Sequence, residues 1–230
     1  MASIVLCLVL SQILIAEIKD NLIVNFSRLL TNKKPGVDSV KGTIFYQPPN
    51  DILIYVTEPV NQHLKFNDKT LVIYYPDEKK AFRIQARVPF VLPFFQAFIS
   101  LTNKNLGLAE MGYTLSQSEK RGDTLITRWV PPAKVKKAVG PIIIGMVNDQ
   151  VGFMEMQNSK GRTIGRVSYS DYSKIGNIML PMRVSAVRYL GKDTTYETVY
   201  YSNPRLNVKL PDEVVNFQIP KGTEIKEVSW

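Results

Sequence analysis

The chain has 230 residues, 45% of them hydrophobic and 21% charged, with 29 Lys+Arg against 20 Asp+Glu and a net charge of +9. That balance excludes a disordered chain and is ample for one sizeable core. One histidine and one cysteine leave little for transition-metal or thiol chemistry.

The first segment, Met1 to Ala16, reads MASIVLCLVLSQILIA, carries no charge and is mostly Ile, Leu and Val. It is too short for a comfortable membrane span and reads as a secretory signal peptide ending near Ala16. Residues 17–230 would then form a single domain, exported and soluble. The lone cysteine, Cys7, lies inside that leader, and Leu6 before it is not the small residue that bacterial lipidation wants. Next, EIKDNLIVNFSRLLTNKK places Ile18, Leu22, Phe26, Leu29 and Leu30 at helical spacing, so an amphipathic helix is expected, stopped by Pro35-Gly36.

Strand patterns follow. VKGTIFYQ leads through Pro48-Pro49-Asn50 into DILIYVTEP, whose alternation puts Ile52, Ile54 and Val56 on one face and Leu53 and Tyr55 on the other. LKFNDKTLVIYYPDEKKAF then reads as a meander, with turns at Asn67-Asp68-Lys69 and Pro76-Asp77-Glu78-Lys79. Short connections favour antiparallel pairing. VPFVLPFFQAFISLTNKN breaks the rhythm, and from Pro93 a short, very apolar helix is expected. The second half, from DTLITRWVPP to TTYETVYYSNPRLNVKLP, returns to strand composition, with a hairpin turn at Asn158-Ser159-Lys160-Gly161.

The catalytic inventory is thin. His63 stands alone in a strand, where packing is its commonest role. No nucleophile elbow, P-loop or dinucleotide fingerprint occurs. Asp77-Glu78 and Asp212-Glu213 lie in polar turn segments. No catalytic residue, cofactor or metal site is therefore expected. Nucleic acid is not expected either, because the densest basic cluster, Lys134 to Lys137, is short and lacks interleaved aromatics.

The stretch GTIFYQPPNDILIYVTEP, the following turn into NDKTLVIYYP, and the ending NFQIPKGTEI resemble the periplasmic outer-membrane lipoprotein carrier and lipoprotein-sorting family. The chain departs from the family at Pro48, where the carriers place an arginine that helps hold a lid closed. The resemblance implies a mainly β (α+β) fold: a strongly curved antiparallel sheet, an incomplete barrel, with helices covering an apolar cavity. It implies a monomeric, non-enzymatic periplasmic carrier that binds lipoproteins or related lipids by their acyl chains. An inner-membrane donor and an outer-membrane acceptor would be its partners. Ile52, Ile54 and Val56 would line the cavity, which would lie apart from the main folding core. Phe94, Phe95 and Phe98 would form a lid helix, and residues on the opposite faces of the strands would meet water. A lipid-sensing regulatory module of the same fold is the alternative, and a carboxylate-dependent envelope hydrolase is a further one.

Overall fold

The computed structural model describes residues 20–31, 37–48, 51–67, 70–85, 106–109, 111–191 and 193–229. The leader at 1–16 and the apolar helix expected from Pro93, with Phe94, Phe95 and Phe98, lie outside the described residues. Strands β1 Leu22–Thr31, β2 Val37–Gln47, β3 Asp51–Glu58, β4 Gln62–Asn67, β5 Thr70–Tyr75 and β6 Lys80–Gln85 make the first half. The second half holds β7 Thr114–Arg121, β8 Thr124–Val130, β9 Ile142–Val147, β10 Gln150–Gln157, β11 Thr163–Ile175, β12 Ile178–Leu190 and β13 Asp193–Leu206. A helix of four residues, α1 Asp212–Val215, and strand β14 Glu224–Ser229 complete the chain. All the strands join one sheet, in the order β14-β6-β5-β4-β3-β2-β1-β13-β12-β11-β10-β9-β8-β7. The sheet is curved and does not close. Neighbours are antiparallel throughout, apart from β14, which adds in parallel to β6.

This corrects the fold expectation in two places. The structure is nearly all β, not α+β, and among the described residues no helix covers the hollow of the sheet; α1 lies on the other side. The helix expected after the leader is instead β1, paired on both sides with β2 and β13 at the middle of the sheet. The spacing that suggested a helix was ambiguous. Leu22 and Phe26 are four residues apart, an even number, so a strand also puts them on one face. Both are in the inner core, while Ile23, out of step with them, packs on the outside. Long-range pairing on two edges overrides local helical preference.

The strand readings of β2 to β6 hold, and the turns follow their residue chemistry. Lys79, at φ 49°, closes the Pro76 turn before β6 starts at Lys80. Asn148 and Asp149, both at positive φ, form the two-residue hairpin between β9 and β10. Asn158 holds the next turn, its Oδ1 accepting from the Lys160 and Arg162 amides at 3.0 and 2.9 Å. Strand β7, TLSQSEKR, went unforeseen. It is exposed along its whole length and shows no apolar alternation to read.

A single sheet has two faces to cover. The concave face carries the larger core, in which Leu22, Val24, Ile44, Leu180 and Val199 are at 0% exposure. Curvature brings these side chains together, and Leu106 and Leu108, between β6 and β7, pack among them. The convex face of β1 to β5 is covered by the C-terminal strap, residues 207–217. Leaving β13, the strap is pinned where the Asn207 amide bonds the Asn21 carbonyl at 2.8 Å. Leu210 and Val214 then pack on Ile23, Phe45 and Leu53, and Phe217 closes on His63 and Tyr74. The expectation that this face of β3 meets water is thus corrected: Leu53 is buried, and Tyr55 stacks on His63 at 4.0 Å.

His63 is a packing histidine within an aromatic cluster. Its Nδ1 is buried and has no hydrogen-bond partner among the described residues. Burial lowers its pKa from 6.5. The folded state therefore binds fewer protons than the unfolded one as pH falls below about 6.5, and stability must fall with it. We expect chemical denaturation to show stability decreasing from pH 7 to 5. In His63→Phe that decrease should shrink, and the variant should gain about 1 kcal/mol at pH 7 as the unsatisfied nitrogen is removed. Phe217→Ala should cost about 1–2 kcal/mol, because the ring is half-buried. It should also speed hydrogen exchange in residues 207–217 and β14 before the rest of the sheet.

Candidate functional site: the concave face

Alternation divides the residues of β3 between the two faces of the sheet. Ile52, Ile54 and Val56 all point to the concave face, and Leu53 and Tyr55 to the convex one. Their surroundings differ. Ile54 and Val56 are buried at 1% and 6% exposure within the larger apolar cluster of the described residues. The expected separation between cavity lining and folding core therefore does not hold at these two positions. Ile52 is only half-buried.

Ile52 belongs to a wider apolar strip. Register aligns Ile52, Phe66, Leu71 and Ile84 across β3 to β6, and beside them Ile54, Leu64, Ile73 and Phe82. Ile52, Leu64, Ile73 and Ile84 are half-buried and pack against the core. They form an apolar margin that the core does not fully cover. Leu64, Ile73 and Ile84 were absent from the sequence-derived set. The period-2 alternation that singled out β3 continues through the meander and would have identified them.

The other end of the concave face is polar. Arg28 on β1 and Glu197 on β13 form an ion pair, Nε to Oε1 at 2.9 Å, with side-chain exposures of 27% and 9%. Glu197 is the buried carboxylate of the described core. Tyr201 and Tyr169 lie on the same face, and burial pushes both hydroxyls well above their ordinary pKa. For Tyr201 the charges of Tyr169 and Glu197 add to that rise. Tyr172 is also raised by burial, and its hydroxyl donates to the Val151 carbonyl at 2.7 Å. These groups stay protonated at neutral pH and offer hydrogen bonds, not bases. Among the described residues no cluster of three or more His, Cys, Asp or Glu could hold a metal. Asp77 and Glu78 are exposed in a turn, and Asp212 and Glu213 are exposed in the first turn of α1, which the sequence had suggested as a plain turn.

No protein-family model and no curated protein matches the chain. Solved structures do. A LolA superfamily protein from Nitrosomonas europaea aligns at 15% identity with a TM-score of 0.60, over 85% of this chain and 90% of the other. A Vibrio parahaemolyticus domain described as an outer membrane lipoprotein-sorting protein gives 14%, 0.63, 85% and 89%. A DUF1329 family protein from Desulfovibrio piger gives 14%, 0.62, 88% and 92%. Identities this low speak for fold alone: the chain has a LolA-like fold, as the resemblance in its sequence implied.

The ion pair can be tested through its partners. Removing one member of a buried pair strands the other charge, whereas replacing both with apolar groups is often neutral. Arg28→Met should therefore destabilise the protein by about 2 kcal/mol, less than a fully buried pair would give because Arg28 is part-exposed. The double variant Arg28→Met/Glu197→Leu should recover most of that loss in urea denaturation.

Proposed function

We propose that the chain is a periplasmic carrier that binds lipoproteins or related lipids by their acyl chains on its concave face. The observation that carries this reading is the half-buried apolar strip Ile52, Leu64, Ile73 and Ile84, laid across β3 to β6 inside the curve of the sheet. A concave apolar surface with few polar groups suits an aliphatic ligand. Phe94, Phe95 and Phe98 join the proposed contact set on the resemblance in sequence, and Ile54 and Val56 form its floor.

Energetics favour a strip over a sealed pocket. Each buried methylene contributes about 0.8 kcal/mol, so a long chain sunk entirely in a core would not leave on a useful timescale. Partly exposed contacts give weaker retention and allow transfer. The carrier makes and breaks no bond. Its direction comes from the relative affinities of an inner-membrane donor and an outer-membrane acceptor. Among the described residues no helix is long and apolar enough to cross a membrane. Periplasmic location, and a mature chain beginning close to Glu17, follow on this reading. Fractionation of the native cell with N-terminal sequencing checks them, and an intact Met1 on a cytosolic protein would refute them.

The strip and the floor predict different outcomes. Ile73→Glu should leave a folded protein, because the side chain is half-buried, and should weaken binding of a fluorescent fatty acid by about tenfold or more, since a charge there resists desolvation. Ile54→Glu places the charge at 1% exposure and should unfold the domain. A folded Ile73→Glu variant that binds fatty acid like the parent would remove the strip from the ligand's path.

A further inference from the structure

The convex face divides into two halves. Over β1 to β5 the C-terminal strap covers it. Over β10 to β13 large side chains stand in solvent: Tyr189 at 43% exposure, Tyr196 at 54% and Tyr200 at 42%. We propose that this second half is a docking surface for an acidic, extended segment of a partner protein. The inference is independent of what the concave face carries.

Register sets the pattern. One row across the sheet holds Arg183 and Tyr200, directly opposite each other, and another holds Arg166, Val187 and Tyr196. Between them lies a row of short hydroxyl side chains, Ser168, Ser185 and Thr198. The result is a shallow trough with a hydroxyl floor and a Tyr/Arg ridge on each side. The two ridges are four residues apart along a strand, about 13 Å. An extended peptide advances at about the same rate per residue, so carboxylates at positions i and i+4 would meet both arginines.

Each guanidinium group lies over an aromatic ring. Arg166 lies over the Phe153 ring at 4.3 Å, and Arg183 over Tyr200 at 5.6 Å. Phe153 in turn rests above Gly145, where a Cβ would collide with the ring. Among the described residues neither arginine forms a salt bridge. This matters most for Arg166, because Glu155 sits directly opposite it on β10. That carboxylate instead accepts from Thr163 Oγ1 at 2.8 Å and Gln157 Nε2 at 3.3 Å. A ring beneath each cation attracts it and leaves its N–H groups available for a carboxylate. Exposed tyrosines with arginine are also the composition of protein-binding hot spots. A protein segment fits better than a membrane, since a flat anionic surface touches only the crest of a convex sheet and has no use for two rows at a fixed spacing.

The test uses the full chain, isotope-labelled, and a glycine–serine peptide carrying two glutamates four residues apart. Amide shifts should gather on β11 to β13, and a control peptide with adjacent glutamates should bind more weakly. Arg166→Glu and Arg183→Glu, at exposed positions, should keep the parent's melting temperature and each lower affinity by roughly tenfold, through loss of an ion pair plus repulsion. Tyr196→Ser should lower it as well. Equal affinity for both peptides, or shifts spread over other basic segments such as Lys134 to Lys137, would overturn the proposal. So would phosphatidylglycerol vesicles that bind the parent and lose binding in the same arginine variants, since the face would then read a lipid surface.

Discussion

Everything in this fold depends on one constraint: a single sheet has two faces, and among the described residues no second layer hides them. Period-2 alternation commits every strand to both faces. A flat sheet would leave both sets of apolar side chains in water. The chain meets the inner demand by curving, so that β1, β2, β12 and β13 contribute side chains at or near 0% exposure to a shared core. It meets the outer demand on one half only, with a strap laid across β1 to β5 and ending as β14 on the edge of β6. That the strap's strand is the one parallel pairing follows from its path. It crosses the sheet and arrives at the far edge running the same way as β6 instead of turning back in a hairpin.

How much of this was legible in the sequence depended on whether a residue's role was local. Strands β2 to β6 and their turns could be read because alternation and turn chemistry are near-neighbour properties; Ile52, Ile54 and Val56 separated from Leu53 and Tyr55 as their order required. Strand β1 was misread because Leu22 and Phe26, four residues apart, satisfy both periods. Only its two distant partners, β2 and β13, decide between them. Strand β7 was missed for the opposite reason. It lies at the sheet edge, buries nothing and is held by backbone pairing to β8, so no side-chain pattern announces it. The strap was hard to read because its anchors, Leu210, Val214 and Phe217, stand at helical spacing over a helix of only four residues and are defined by what they cover.

The candidate site was legible as a face but not as a depth. Sequence alternation says which way Ile54 points and nothing of how many neighbours crowd it. Ile54 is at 1% exposure while Ile52, two residues along the same face, is half-buried. The same limit applies to charge. Nothing near Arg28 or Glu197 in the chain hints that they meet, 169 positions apart, on the inner face.

These depths suggest a division of labour across the sheet. The central strands β1, β2, β12 and β13 pack side chains at or near 0% exposure on their concave faces, and altering those removes contacts that hold the curve itself. The β3 to β6 arm keeps apolar side chains only half covered, which costs some folding energy and leaves surface that a ligand can complete. A residue at 0% exposure has no further area to give a ligand, whereas a partly buried leucine or isoleucine of the strip still has up to about a third of its 1.5–3 kcal/mol to contribute. Affinity for an apolar cargo must therefore come from the arm and rigidity from the centre. The strap is what allows the two to coexist, because it braces the convex side of that incompletely packed arm with Leu53, Tyr55, His63 and Phe217.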